Sequence, residues 1–289
     1  MIDLHMHTTA SDGRLTPGEL VARAHASGLT VISVTDHDTV AAVADVTAAG
    51  AAFGMRVVPG IEVTAVDDGR DVHVLAYFVD PSNASLAALL LDQRALRVAR
   101  LREMAARLAA VQIFIDVDQL LLAAAARPGS SVGRPQLARE MVRSGYVGSV
   151  QEAFDLWLAT GRPGFVPRSG PSPADVVAVV HSAGGVASMA HPGVTKRDEL
   201  IAPLAERGLD AIEVYHSDHS PEVQSIYQRL AGRLQLLTSG GSDFHGEEAV
   251  AADGTRARAA RPQRNVLGSI TLPPHDFARL ELRSRDYAS

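Results

Sequence analysis

Short runs of β-branched and apolar residues recur along the chain, several of them separated by stretches with a helical period. "IDLHMH" (2–7), "TVISVTD" (30–36), "RVVPGIEVT" (56–64), "DVHVLAYF" (71–78), "GVASMAH" (185–191), "DAIEVYH" (210–216) and "LQLLTSGGSD" (234–243) read as strands. Between them lie amphipathic stretches with clear starts. In "TPGELVARAHASG" Thr16 can cap, Pro17 fits the first turn and Gly28 can end the helix. "SPADVVAVVHSAGG" repeats the pattern. The third and fourth strands are joined only by "AVDDGRD", too short for a crossover helix, so that pair is expected to be a hairpin or a bent excursion.

The alternation predicts an α/β fold, either a barrel or an open doubly wound sheet. Residues 98–167 break the rhythm. "RVARLREMAARLAAV", "VDQLLLAAAA", "GRPQLAREMVRSGY" and "VQEAFDLWLATG" follow one another as helical stretches with no strand between them. They read as a helical insertion, followed by the loop "RPGFVPRSGPSP".

Composition narrows the chemistry. The chain has 289 residues, ample for one large domain with an insertion. Its formal net charge of −6 argues against a binder of long nucleic acid, which needs a basic surface. A small phosphorylated ligand held by a few arginines stays compatible. With no cysteine, disulfides, thiolate zinc sites and cysteine nucleophiles are all excluded. Lys196 is the single lysine, which leaves almost no place for a Walker-type loop or a Schiff base. No apolar run approaches the ~20 residues that cross a bilayer. No secretory pattern opens the chain, so a soluble cytoplasmic protein is expected, with no obligate protein partner.

The candidate chemistry gathers at strand ends. Within "IDLHMH" alternate residues share a face, placing Asp3, His5 and His7 together. Two imidazoles two residues apart in a strand have backbones roughly 6–7 Å apart, suited to converging on one ion. "VTDHD" adds His37, "GIEVT" adds Glu62 and "DVHVL" adds His73. "SMAHPG" adds His191, "SGGSDFH" adds Asp243 and His245, and Asp12 follows the first strand. In a barrel the carboxyl ends of parallel strands open onto one face, where distant residues meet. Imidazole plus carboxylate without sulfur suits Mn, Fe, Zn or Co. These ligands exceed what one ion uses, and Glu62 could bridge two. Asp3 is placed to orient a histidine, and Asp36 and Asp38 read as caps or supports of His37.

The ordered set "DLHMHTTASDG", "TDHD", "GIEVT", His73, "AHPG" and "SDFH" resembles the PHP (polymerase and histidinol phosphatase) superfamily of metal-dependent phosphoesterases. The resemblance implies a distorted (β/α)7 TIM-like barrel from residues 1–97 and 168–289, with 98–167 as a helical insertion capping the active-site face. It implies three divalent ions, Mn2+ foremost, with Fe2+ or Zn2+ as alternatives. The first would take His5, His7, Glu62 and Asp243; the second Glu62, His73 and His191; the third Asp12, His37 and His245. The segment "SSVGRPQLAREMVRSGYVGSVQEAFDLWLATGRPGFVP" resembles enzymes that remove the 3′-phosphate from 3′,5′-nucleotide bisphosphates. That likeness implies hydrolysis by a metal-bridging hydroxide, with Glu62 and His216 catalytic and Arg134, Arg168 and His216 at the substrate. The leaving oxygen would take its proton from solvent or from His216, which could instead hydrogen-bond a metal-bound phosphate. The alternatives are a 5′→3′ exonuclease on short RNA, a histidinol-phosphate phosphatase and, outside enzymes, a non-catalytic metal-binding PHP module.

Overall fold

A computed structural model describes residues 1–125, 132–246 and 266–287. Among these residues, β1 (Ile2–Asp3), β2 (Val31–Ile32) and β3 (Arg56–Val57) form a small parallel sheet in that order. β4 (Gly60–Asp67), β5 (Arg70–Tyr77), β6 (Val186–Met189), β7 (Ala211–His216) and β8 (Leu237–Gly241) form a second sheet in chain order. The β4–β5 pair is the hairpin expected from its short linker, turning at Asp68 and Gly69 with both φ angles positive (49° and 69°). β5 runs antiparallel to β6 as well, whereas β6, β7 and β8 are parallel.

The α/β class follows, but the strands differ from the seven runs of a single barrel. "RVVPGIEVT" splits at Pro59, so that β3 belongs to one sheet and β4 to the other. Proline has no N–H to continue a ladder. Gly60, next in line, passes so close to Ser33 that a Cβ there would collide with its Oγ. The first run also stops early. Beyond Asp3 the chain leaves β2 and bonds toward the end of β8, with Leu4 N–H to Gly240 O (3.2 Å) and His7 N–H to Phe244 O (2.9 Å). On the opposite side Asp38 N–H donates to Glu62 O (2.9 Å). Isolated bridges at Met6–Phe244 and His37–Glu62 thus tie the two sheets together around the histidine-bearing ends.

Helix α1 (Pro17–Ala26) starts on a capping box in which Thr16 and Glu19 satisfy each other's backbone amides, as its sequence predicts. With α2 (Val43–Ala52) it packs Leu20, Val21, Ala24 and Val46 over Ile32 and Val34. The long helix α3 (Ala84–Ala109) is capped by Asn83 and buries a continuous stripe: Leu86, Leu90, Gln93, Arg97, Leu101, Met104 and Leu108. The expected boundary at 97/98 therefore falls inside one helix. Its first half joins the cluster of Ile61, Val63, Val74 and Val176, and its second half joins a separate one.

That separate cluster contains Leu137, Met141, Leu158 and Val166, supplied by α5 (Arg134–Arg143) and the segment after it, with Leu120 of α4 (Val117–Ala125) packed against it. α6 (Val150–Ala153) passes directly into a π-helical turn, Phe154–Leu158. Ala126, Ser130 and Ser131 of the expected insertion lie outside the described residues. The remaining helices, α7 (Pro173–Ser182), α8 (Pro192–Thr195), α9 (Ile201–Glu206), α10 (Pro221–Leu234) and α11 (Pro274–Ser284), return the chain to the second sheet. α10 runs to Leu234 and ends on Gln235 at φ 57°, which delays the last strand to Leu237. Among the described residues no helix is long and apolar enough to cross a membrane.

Candidate metal centre

Glu62, the third residue of β4, is fully buried at the centre of five imidazoles. Its two oxygens divide them. Oε1 faces His73 Nδ1 (2.8 Å) and His191 Nε2 (3.1 Å), while Oε2 faces His37 Nδ1 (3.0 Å), His5 Nε2 (3.3 Å) and His7 Nε2 (3.3 Å). Asp243 Oδ1 lies 3.3 Å from His5 Nε2 and 3.2 Å from His7 Nε2. On the far side of His7, Asp12 meets His245 Nε2 at 3.2 Å and His37 Nε2 at 3.9 Å. All nine residues expected to hold metal converge, but their mutually close groups cut across the expected sets: His7 with Asp12, His37 and His245; His5 with His216 and Asp243; His5 with Glu62 and His191; and His37 with Glu62 and His73. His73 reaches them differently from the rest. It sits near the start of an antiparallel strand, whose amino end lies among the carboxyl ends of its parallel neighbours.

The donor set fits divalent ions. His7 Nδ1 and Nε2, His37 Nδ1 and His73 Nδ1 are buried with no hydrogen-bond partner, a cost that a cation accepting their lone pairs would remove. Burial favours the neutral carboxyl at Glu62, yet His37, His73 and His5 outweigh it and hold the group well below the usual carboxylate range. Asp243 and Asp12 behave alike: burial opposes ionisation, and His5 and His245 for the first, His245 and His37 for the second, overcome it. Burial pushes His37 down to about 3, so its ring is a neutral donor at pH 7. Two of the candidate ligands, His191 and Asp243, sit at positive φ (28° and 54°), a conformation disfavoured for residues with a side chain and concentrated at functional sites.

Support for these residues comes from groups the sequence reading named and from one it missed. Asp36 accepts from Thr8 N–H (2.7 Å), Thr8 Oγ1 (2.6 Å) and Ser11 Oγ (2.6 Å), pinning the loop between His7 and Asp12. Asp38 accepts from Thr64 N–H (2.6 Å) and Arg97 Nε (2.6 Å); neither aspartate caps a helix. Asp3 bonds the backbone amides of His5 (3.1 Å) and Ser242 (3.0 Å) rather than an imidazole, and burial pushes its carboxyl up to about 6. The missed residue is Glu213 of β7. Fully buried, it faces His5 Nδ1 at 2.9 Å and accepts from His191 N–H at 2.8 Å. It holds the His5 proton on Nδ1 and turns Nε2 toward Glu62 and Asp243. An acid in the middle of the strand-like run "AIEVYH" was the available signal. Replacing Glu213 with glutamine should weaken metal retention about 10- to 100-fold, the range for losing such a partner, measured by competition with a chelator.

His216 lies in one close group with His5 and Asp243. It is fully buried, and its Nδ1 accepts from Asp218 N–H at 3.1 Å. The ring proton is thereby left on Nε2, 3.4 Å from Asp243 Oδ2. It is not among the residues lining the cleft described next. His219 is likewise committed, its ring joining Val214 O (2.8 Å) and Gly193 N–H (3.2 Å).

An open cleft adjoins the centre. Asp12, His37 and His73 line it together with Arg97, Arg134 and Arg168. Arg134 donates to Asp71 (3.3 Å). Arg168 lies 3.2 Å from Asp71 and 3.6 Å from Asp38, and burial pushes its guanidinium down to about 9, leaving it charged at pH 7. Arg97 holds Asp38, Thr64 Oγ1 (3.2 Å) and Val132 O (3.1 Å). The sequence reading named Arg134 and Arg168 but not Arg97, whose signal was a cation in the buried stripe of α3.

Carboxylate-bridged imidazoles beneath a cation-walled cleft define a class: hydrolases that use metal ions on phosphate esters. Comparison with known proteins gives the family. Residues 3–128 match the PHP domain. The chain is 34% identical over 254 residues to the 5′-3′ exoribonuclease Rnm of Escherichia coli K12, covering 84% of each chain. It is 35% identical over 249 residues to the 3′,5′-nucleoside bisphosphate phosphatase of Chromobacterium violaceum, covering 84% of this chain and 87% of that one. Its fold superposes with a TM-score of 0.84 and 33% identity on a structure from Bifidobacterium adolescentis described as a metal-dependent phosphoesterase, covering 98% and 96% of the two chains. The chain belongs to the PHP family of metal-dependent phosphoesterases.

Proposed function

We propose that the protein removes the 3′-phosphate from 3′,5′-nucleotide bisphosphates, leaving a 5′-mononucleotide and inorganic phosphate. The observation that carries this reading is the pairing, in one cleft, of the candidate metal residues with three guanidiniums. A substrate with two phosphates needs a cationic seat for each, and a guanidinium fork suits the one that does not react. Three divalent ions are the expected complement, Mn2+ foremost, held by the residue groups that the PHP resemblance implies. The split of the Glu62 oxygens between two sets of imidazoles supports its bridging role. Bound divalent ions supply charge neutralisation at the phosphoryl oxygens and a water poised as nucleophile.

The chain's own groups do the rest. Arg134 and Arg168 hold the 5′-phosphate and fix the sugar so that its 3′-phosphate meets the centre. Residues 98–167 act as the cap that carries Arg134 over the cleft. Asp38 and Asp71 keep the guanidiniums extended before substrate arrives. His216 serves as a support of Asp243, through its Nε2–H, and the leaving oxygen takes its proton from water.

A second reading has its own support. A 5′-phosphorylated RNA end presents the same two anions, and a relative of equal similarity is a 5′-3′ exoribonuclease. Incubation with adenosine 3′,5′-bisphosphate, histidinol phosphate and a short 5′-phosphorylated RNA, with phosphate and mononucleotide release followed separately, tests both. Phosphate release from the bisphosphate alone is the expected result. Mononucleotide release from RNA with an inert bisphosphate would replace it with the exonuclease reading.

A further inference from the structure

The cleft contains one ring that neither the candidate metal centre nor the phosphate-binding arginines account for. Resting on the nucleotide reading above, we propose that Phe154 is the platform on which the substrate's nucleobase stacks. Apart from the imidazoles of His37 and His73, it is the one aromatic side chain lining the cleft among the described residues. It packs against the cluster that contains Val132, which also lines the cleft. The Arg134 guanidinium lies over the Phe154 ring at 5.9 Å from its centroid. The cation assigned to the 5′-phosphate and the ring assigned to the base are therefore neighbours, as the two ends of one 5′-nucleotide require.

The local backbone points the same way. Phe154 is the first residue of the π-helical turn Phe154–Leu158 with which α6 ends. Such turns are rare and occur preferentially at functional sites, since the extra residue re-aims a side chain. The ring is half-buried and packs against the insertion's hydrophobic cluster while also lining the cleft. It is thus held by the cluster while reaching the cleft, where a base would share the ring with the Arg134 guanidinium. A ring face reads the π surface of a base rather than its hydrogen-bonding edge, so the platform predicts tolerance among the four bases.

The test compares adenosine 3′,5′-bisphosphate with an abasic 1-deoxyribose 3,5-bisphosphate, which carries the same phosphates without the ring system. In the wild-type holoenzyme the abasic compound should have a KM about ten-fold above the nucleotide, within the range of a base–aromatic stack. In Phe154→Leu that ratio should collapse toward one, and in Phe154→Trp it should persist. Both KM values rising together in Phe154→Leu, with the ratio kept, would show a purely structural ring and overturn the platform. So would a wild-type ratio near one. If the wild type releases no phosphate from adenosine 3′,5′-bisphosphate, the bisphosphatase reading itself falls, which is a separate and distinguishable failure.

Discussion

Replacing Glu62 with glutamine should reduce hydrolysis of every phosphoester the protein accepts by at least about a thousand-fold, because metal-ion stabilisation of phosphoryl charge is worth several kcal/mol and each ~1.4 kcal/mol is a factor of ten. Glutamine keeps the volume of the side chain but offers one oxygen where Glu62 turns one to His73 and His191 and the other to His5, His7 and His37. The substitution should also lower the retained divalent metal, read by elemental analysis of the purified protein. His5→Ala removes a donor from the same group and should act in the same direction on both measurements. Full activity with unchanged metal content in either variant would show that these residues do not form the centre.

The second large effect is expected at Arg134. Alanine there should raise the KM for adenosine 3′,5′-bisphosphate by about 10- to 100-fold, since hydrogen bonds to charged groups contribute roughly 1.5–3 kcal/mol. A generic aryl phosphate, with no second anion, should lose far less. Arg134 is the better probe than Arg168. It is about a quarter exposed and bonded to Asp71, whereas Arg168 is nearly buried between Asp38 and Asp71. Removing Arg168 would leave buried carboxylates short of a partner and confuse stability with binding. Equal losses on both substrates would remove Arg134 from the 5′-phosphate.

Much of this was legible before any fold was drawn. The nine candidate ligands were recognisable because most of them fall within or just past the end of a strand-like run, and because their order resembles that of a known family. The hairpin was legible from the length of "AVDDGRD", and helix starts from Thr16 and Ser172, because caps and short turns are local. Residues acting at long range were not. Glu213 matters for a bond to His5, 208 positions away, and within its own strand nothing distinguishes a support from a ligand. Arg97 lies on a stripe whose period says only that the position is buried. His216 had a favourable position at a strand end, and its placement beside Asp243 depends on the segment that follows β8.

The sequence by itself determined the chemistry available: imidazoles and carboxylates without thiols, arginines almost without lysine, strands alternating with helices and a helical stretch between 98 and 167. These follow from composition and short-range periodicity, which need no partner. Tertiary structure decided how that chemistry is shared. It broke one predicted strand at Pro59 and seated its halves in two sheets. It brought an antiparallel strand's start beside parallel strands' ends, so that His73 joins the centre. It set one carboxylate between two groups of histidines, and laid Arg134 and Phe154 beside each other in one cleft. Each of these depends on which backbones approach in space, and that is fixed by packing between elements far apart in the chain.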